Sequence, residues 1–478
     1  MKNIFFKHQP DKEAAHWAAT LLLSTLTLVS LSGCGADGTS ADSGTTTEAP
    51  VDTIPDPSTD PDTEEPREWQ AVGGAATVTF QDDLAFLQFI PGLDLATAPT
   101  VSQGRELFVA DWTAAPGSRT LLDGLGPLFI ASACDDCHLV SGRAASLNDD
   151  GTTSHGILFR LGTLDGQPDT YLGGQLQTSA TVGAPEGRVT WQDIGLGQPQ
   201  FQLSEAEHTL DDGVQLGPRL SPQLTGVGLL ELVPEAQILQ WHDPDDQDQD
   251  GISGRAHSLE REGVACLGRF GWKAVQCTLR GQSAGALHQD MGLTTPLNPA
   301  EPCTDQQSIC SEQPSGGDPE VSLDSLNAIN DFLTLLAVYD RRIDDQTQFD
   351  RGADLFEQVG CDDCHRPTLT TGDTSAFEQL NQQTIYAYTD LLLHDMGEAL
   401  SDGMKEGDAG DREWKTPPLW GLGLIEGNGD SRFLHDGRAE TLVEAINWHG
   451  GEAEAARQAW EALQETGQQD LLVFLRGI

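Results

Sequence analysis

The chain has 478 residues, 75 of them acidic against 26 Lys and Arg, which leaves a formal net charge of −49. That length suits two or three domains with buried cores, and 38% hydrophobic content with 6% aromatic keeps the chain polar but globular. So acidic a chain is repelled by phosphate backbones, which excludes nucleic acid as a partner; the charge favours cationic partners or a salty environment.

The first element reads as an address. Lys2, Lys7 and Lys12 precede an apolar run from Ala18 to Leu31 that is too short to span a bilayer. It ends in Leu31-Ser32-Gly33-Cys34, which resembles a bacterial lipobox; an ordinary signal peptide is the alternative. The expectation is a lipoprotein signal peptide over 1–34, lipidation at Cys34, and a protein held to the cell envelope by its lipid anchor alone. It would face the periplasm, and Gly35, where an Asp would retain the protein at the inner membrane, points to the outer membrane. Residues 35–70 carry ten Asp/Glu, one Arg and almost nothing apolar, so they are expected to form a disordered acidic tether.

Four of the remaining eight cysteines lie in two identical pentapeptides, Cys134-Asp-Asp-Cys137-His138 and Cys361-Asp-Asp-Cys364-His365. This spacing lets two thiols reach the vinyl groups of one porphyrin while the adjacent imidazole turns under the ring to bind iron, so it reads as covalent attachment of two haem c groups. A zinc site shared by the two CxxC pairs, or a redox CxxC, competes with that reading. Cys266, Cys277, Cys303 and Cys310 are an even set in an oxidising compartment. Local pairing, Cys266–Cys277 and Cys303–Cys310, is the simplest of three connectivities.

The two motifs mark a duplication. Gly104-Arg-Glu-Leu-Phe108 leads toward the first and Gly352-Ala-Asp-Leu-Phe356 into the second. Leu326, Ile329, Leu333 and Leu336 fall at helical spacing, and Asp470 to Arg476 reads as a C-terminal helix. Between about 156 and 215, segments such as Ile157-Leu-Phe-Arg-Leu161 and Val189-Thr-Trp191 look like short strands between turns. Residues 296–320, rich in Pro, Glu, Asp and Gly, read as a connection. The expected fold is mainly α: two c-type cytochrome domains, a haem domain over 71–300 with a β-containing insertion and a second over 320–478. Asp246, Asp248 and Asp250 alternate before Gly251 as in a calcium loop, although His257 stands where a closing Glu belongs.

The chain from about 100 to 478 resembles the bacterial di-haem peroxidase superfamily and, within it, the di-haem oxidoreductase or "thiol oxidoreductase" family. The carriers are Gly126-Pro-Leu-Phe129, Asp250-Gly-Ile-Ser-Gly-Arg255, Leu267-Gly-Arg-Phe-Gly-Trp-Lys273, Asp290-Met-Gly292, His394-Asp-Met-Gly397, Lys415-Thr-Pro-Pro-Leu-Trp-Gly421, His435-Asp-Gly-Arg438 and Glu444-Ala-Ile-Asn-Trp-His-Gly-Gly-Glu-Ala453. The resemblance implies that His449 stands where the peroxidases place a Met on the second haem, with Met396 as the rival sixth ligand. A His/His haem sits at lower potential than a His/Met one. Trp272 matches the tryptophan between the two haems, Gln282 a distal amide, and Asp290 the distal acid that moves a proton between peroxide oxygens. His155 lies close to a displaceable sixth ligand of the first haem, and calcium between the domains is a family property. The function implied is peroxide reduction at the first haem, with electrons relayed through the second from a redox donor such as a cationic cytochrome. A pure electron-transfer protein, or a long-range oxidase of a partner protein, are the alternatives.

Overall fold

The computed structural model describes residues 71–478, apart from 82–85, 95, 196–197, 262, 428–431 and the side chains of 310 and 311. The expected signal peptide, Cys34 and the tether therefore lie outside the described residues. In chain order, helix α1 (Ala98–Val109) starts with a Pro in its first turn and buries Val101, Gly104, Leu107 and Phe108. The insertion follows the first CDDCH loop. Strand β1 (Ile157–Gly162) pairs antiparallel with β4 (Gln215–Leu220), and between them β2 (Arg188–Asp193) and β3 (Pro199–Ser204) form a hairpin. Alternation sends Ile157, Phe159 and Leu161 into a small core with Leu172, Leu176, Val189 and Val214.

Helix α2 (Leu279–Met291) begins where the Thr278 hydroxyl accepts the Gly281 N–H, and ends at Gly292, whose φ of +67° a side chain would strain. Helix α3 (Leu323–Thr334) is capped by Ser322 and buries Leu326, Ile329 and Leu333, three of the four residues at helical spacing; Leu336 falls just past its end. Helix α4 (Gln346–Gln358) is capped by Asp345. A ladder of β5 (Leu393–Asp395) with β6 (Glu413–Lys415) sets His394 opposite Trp414. Helices α5 (Leu442–Asn447), α6 (Glu454–Ala462) and α7 (Glu465–Gly477) close the chain.

The duplication survives as geometry. Helix α1 crosses α3 with Gly104 against the Ala328 carbonyl, and α4 crosses α7 with Gly352 against the Asp470 carbonyl; at neither place is there room for a Cβ. Twelve or thirteen residues make a marginal helix in water. The crossings hold because they bury Phe108 and Phe332 on one side and Phe349, Phe356 and Phe474 on the other, each contributing about 1.5–3 kcal/mol of transfer free energy. The described residues, from 71 onward, belong to one compact unit.

The mainly α architecture of two cytochrome domains is not what the chain adopts. Over the described residues helix accounts for 30% and strand for 17%, and the strands form seven two-stranded ladders. Those ladders are not confined to the insertion: Leu369–Thr370 pairs with Thr384–Ile385, and Leu393–Asp395 with Glu413–Lys415, after the second CDDCH loop. The cause is the 52 Gly and 25 Pro, which break helices and leave stretches whose backbone polar groups are satisfied by short ladders and turns.

Candidate functional site

Both CDDCH loops open on one continuous cavity of about 780 Å³. In the first loop the two acids act as caps. Asp136 accepts the Ser132 and Ala133 N–H groups at 3.2 Å, and Asp135 accepts that of Val140 at 2.9 Å. They tighten the turn Cys134–Cys137 and turn His138 inward, where its Nδ1 lies 2.9 Å from the Pro222 carbonyl. A carbonyl can only accept, so Nδ1 carries the proton and the lone pair is on Nε2. The second loop repeats this solution. Gly360, at φ +83°, turns the chain out of α4, and His365 Nδ1 donates to the Tyr388 carbonyl at 2.9 Å. At the end of α5, His449 Nδ1 donates to the Ala445 carbonyl at 2.7 Å. Burial pushes His138 and His365 down to about 4 and lowers His449 as well. All three are thus neutral imidazoles with an orienting bond on one nitrogen and a lone pair on the other, the form a metal ligand takes.

The cavity wall fits haem. Cys134, Cys137, Cys361 and Cys364 form no disulfide, and burial pushes Cys134 and Cys361 up to about 12, so they stand as neutral thiols. Among the described residues these cysteines and histidines do not gather into any group of three or more ligand atoms, which removes the shared zinc site. Leu230, Phe270 and Leu279 line the first end, and Phe356, Phe433 and Leu471 the second. Two cations on the wall are under-satisfied by protein: Arg269 Nε is buried without a hydrogen bond, and Lys415 Nζ has only the Thr416 carbonyl at 3.3 Å. Burial draws Lys415 down to about 8. The haem carboxylates would be suitable partners for such groups.

The residues assigned to the distal side come together on this wall. Asp290, near the end of α2, is surrounded by protein yet open to the cavity, and its Oδ1 accepts a hydrogen bond from Gln175 Nε2 at 2.8 Å. Burial raises its pKa, opposed by the charge of Arg160 and by the Gln175 bond. Gln282 and His155 line the same cavity, and the His155 ring takes no hydrogen bond among the described residues. Trp272 Nε1 donates to the Leu220 carbonyl at 2.8 Å, and the Trp272 carbonyl accepts the Lys415 N–H at 2.8 Å; all three residues line the cavity. Met396 and His449 both line the second end.

Around Trp272 the interior is built from rings and charges. His435 meets it edge-on at 6.5 Å and stacks on Trp414 at 3.6 Å. Arg219 and Lys273 cover Trp414 at 4.9 and 4.4 Å, both paired with Asp402, and Arg219 also with Glu406. His394 is clamped between Asp390 at 2.9 Å and Glu452 at 2.7 Å. The Asp390 carboxylate overcomes burial and raises its pKa, so both nitrogens are engaged and this histidine has none left for iron.

Asp246, Asp248 and Asp250 bring carboxylate oxygens within 4.8 Å of one another. Cys266 and Cys277 are joined as expected. Cys303 is disulfide-bonded, and the side chain of Cys310 lies outside the described residues. Sequence reasoning missed Gln175, Arg160, Arg269 and the cavity-facing role of Lys415. The last two sit inside motifs already singled out, LGRFGWK and KTPPLWG. Gln175 and Arg160 carry no motif at all.

A family model described as "Di-haem oxidoreductase, putative peroxidase" matches residues 200–478. Among solved structures the chain is similar to one in "Kuenenia stuttgartiensis Hydrazine Synthase Pressurized with 20 bar Xenon", at 14% identity over 92% of this chain and 100% of that one, with a TM-score of 0.33. No curated protein matches.

Proposed function

The chain belongs to the di-haem oxidoreductase family, whose function is haem-based redox chemistry, and on that premise we propose that it is an exported enzyme that reduces hydrogen peroxide at the His138 end of the cavity. The overall reaction is H2O2 + 2 e⁻ + 2 H⁺ → 2 H2O. The electrons come one at a time from a donor protein and enter through the His365 end. Haem would be held through thioethers at Cys134 and Cys137 and at Cys361 and Cys364, and would supply the iron and the redox equivalents.

The observation that carries this reading is Asp290, a carboxyl open to the cavity, held by Gln175 and raised in pKa by burial. Reduction of peroxide needs a group that takes a proton from one oxygen and returns it to the other, and a carboxyl whose pKa burial raises is a better base for the first half of that task than an ordinary one. Gln282 orients the peroxide by hydrogen bonding. His138 and His365 would hold the irons, and the Pro222 and Tyr388 carbonyls orient their rings through Nδ1. His449, neutral and with Nε2 unengaged, would supply a second imidazole to the haem held by His365. Trp272, bonded to Leu220 and Lys415, supports the electron path between the ends. A net charge of −49 suits docking of a cationic one-electron donor, and the lipobox-like Leu31–Cys34 supports a lipid anchor facing the periplasm.

The test is peroxide-dependent oxidation of a reduced cationic donor by the haem-loaded protein. Asp290→Asn is expected to lower kcat by about 10²–10⁴-fold with haem absorption unchanged. Unchanged turnover would overturn the reading, and two low-spin haems that ignore peroxide even after half-reduction would make the protein an electron carrier.

A further inference from the structure

The β insertion presents two faces. Ile157, Phe159 and Leu161 fill its own core, so the alternation of strand β1 turns Leu158 and Arg160 toward the cavity, whose wall they join. Six residue pairs with β4, from Ile157 opposite Leu220 to Gly162 opposite Gln215, hold that register. A slip of one residue would exchange the faces. On its other edge β1 meets the segment carrying Gln175: Arg160 is bridged to Gln175, with the Leu161 N–H on the Gly174 carbonyl and the Leu176 N–H on the Phe159 carbonyl, both at 3.0 Å.

The Arg160 guanidinium is close enough to Asp290 and Glu406 for its charge to draw both carboxyls down. Glu406 already has Arg219; Asp290 has only the neutral Gln175 amide. Neighbouring arginines are engaged. Arg219 pairs with Asp402 and Glu406, Arg438 with Asp436, and Arg269 with three carbonyls. Among the described residues the Arg160 guanidinium takes no hydrogen bond. A planar fork of donors is thus held beside the cavity carboxyl by the same insertion that supplies the amide on that carboxyl.

We propose that Arg160 is a further catalytic residue, which binds a small anion or the hydroperoxide ion beside Asp290. This rests on the reading that the His138 end is the reaction site. The chemistry is a proton transfer, H2O2 + Asp290–COO⁻ → HOO⁻ + Asp290–COOH. Without a cation the new negative charge would lie on an apolar-lined wall next to a carboxyl. Arg160 neutralises it at the moment it forms, through charge-assisted hydrogen bonds that a neutral amide cannot match. The substrate class that follows is small and able to become anionic by losing a proton, which disfavours bulky neutral peroxides.

Fluoride titration of the full-length, haem-loaded ferric protein, followed by absorption and EPR, tests this with a readout other than turnover. The wild-type protein is expected to bind fluoride at one haem. Arg160→Leu is expected to weaken that binding about 10- to 100-fold, the worth of a hydrogen bond to a charged group, and Arg160→Lys to recover part of it. The unaltered low-spin spectrum of the second haem, and an unchanged Tm, would show that Arg160→Leu still folds; Arg160→Gln serves as the second variant should it not. Equal fluoride affinity in the wild-type protein and the folded variants overturns the role of Arg160 and leaves the reaction-site reading standing. A wild-type protein that binds no fluoride, oxidised or half-reduced, overturns the reaction-site reading, and the proposal with it.

Discussion

Gln175 Nε2 donates to Asp290 Oδ1 across 2.8 Å and 115 residues of sequence, so the insertion holds the carboxyl that helix α2 carries into the cavity. The Gln175 side chain is nearly fully buried, and its Nε2 also reaches the Gln289 carbonyl at 2.9 Å. The bond stabilises the ionised carboxyl against the effect of burial. Gln175→Leu is therefore expected to raise the Asp290 pKa further. A base that must be ionised to accept a proton is then lost at a higher pH, so the acid limb of the kcat/KM profile should move up while the alkaline limb stays. A profile that keeps its shape and merely drops would mean that Gln175 is only structural.

The cluster of Arg219, Lys273, Asp402 and Glu406 joins strand β4 to the loop after β5. Arg219→Met would take the hydrogen-bonded cation from two buried carboxylates and leave them Lys273 and the charge of Arg160, a loss of about 3–5 kcal/mol by urea unfolding at neutral pH.

The same cluster sets an acid sensitivity. Glu406 is drawn from its ordinary 4.5 to about 2, burial opposing and Arg219 prevailing. A depressed carboxyl stabilises the fold fully above its unfolded value, and that share disappears as the pH falls from about 4.5 toward 2. Glu406→Gln should be less stable than the wild-type protein at pH 7 and should lose less between pH 5 and 3. Parallel stability curves for the two proteins across that window would refute the assignment.

Three glycines separate crossing from propensity. Gly104→Ala and Gly352→Ala each push a Cβ into a backbone carbonyl of the crossing helix, and about 1–3 kcal/mol of destabilisation is expected. At Gly285, inside α2, a Cβ would meet nothing nearer than the end of Gln276 at 3.4 Å, so Gly285→Ala should stabilise by about 0.5–1 kcal/mol. Thermal unfolding of the three variants decides it by sign.

His449 and Met396 both reach the second end of the cavity, but only His449 has the carbonyl-anchored Nδ1 seen in His138 and His365. His449→Ala is expected to turn one low-spin haem signal high-spin. His449→Met should raise that haem's midpoint potential, since thioether ligation favours the reduced iron. A low-spin spectrum unchanged in His449→Ala would hand the role to Met396.

Patterns confined to one stretch of chain were legible. The helix over Leu323–Thr334 follows from Leu326, Ile329 and Leu333, and the strands at Ile157–Gly162 and Arg188–Asp193 from their alternation between turns. The mainly α expectation failed because ladders two or three residues long, such as Leu393–Asp395 with Glu413–Lys415, have no period to detect and form only when distant segments meet.

Within the sequence itself, a haem-based chemistry was legible: the expectation of two thiols and an imidazole around one porphyrin needs only five consecutive residues, so its signal is written in contiguous spacing. The charge and the duplicated glycine helices were determined in the same way. Only the tertiary structure decided what surrounds the cavity. Arg160 is one polar residue in an alternating strand, and its direction depends on Leu172, Leu176, Val189 and Val214 closing over the opposite face. His394 lies in one of the motifs that carry the family resemblance, and only the fold shows that Asp390 and Glu452, the latter 58 residues away in sequence, consume both of its nitrogens. Side-chain chemistry is a property of residues, whereas the environment that puts it to use is made by segments the sequence keeps far apart.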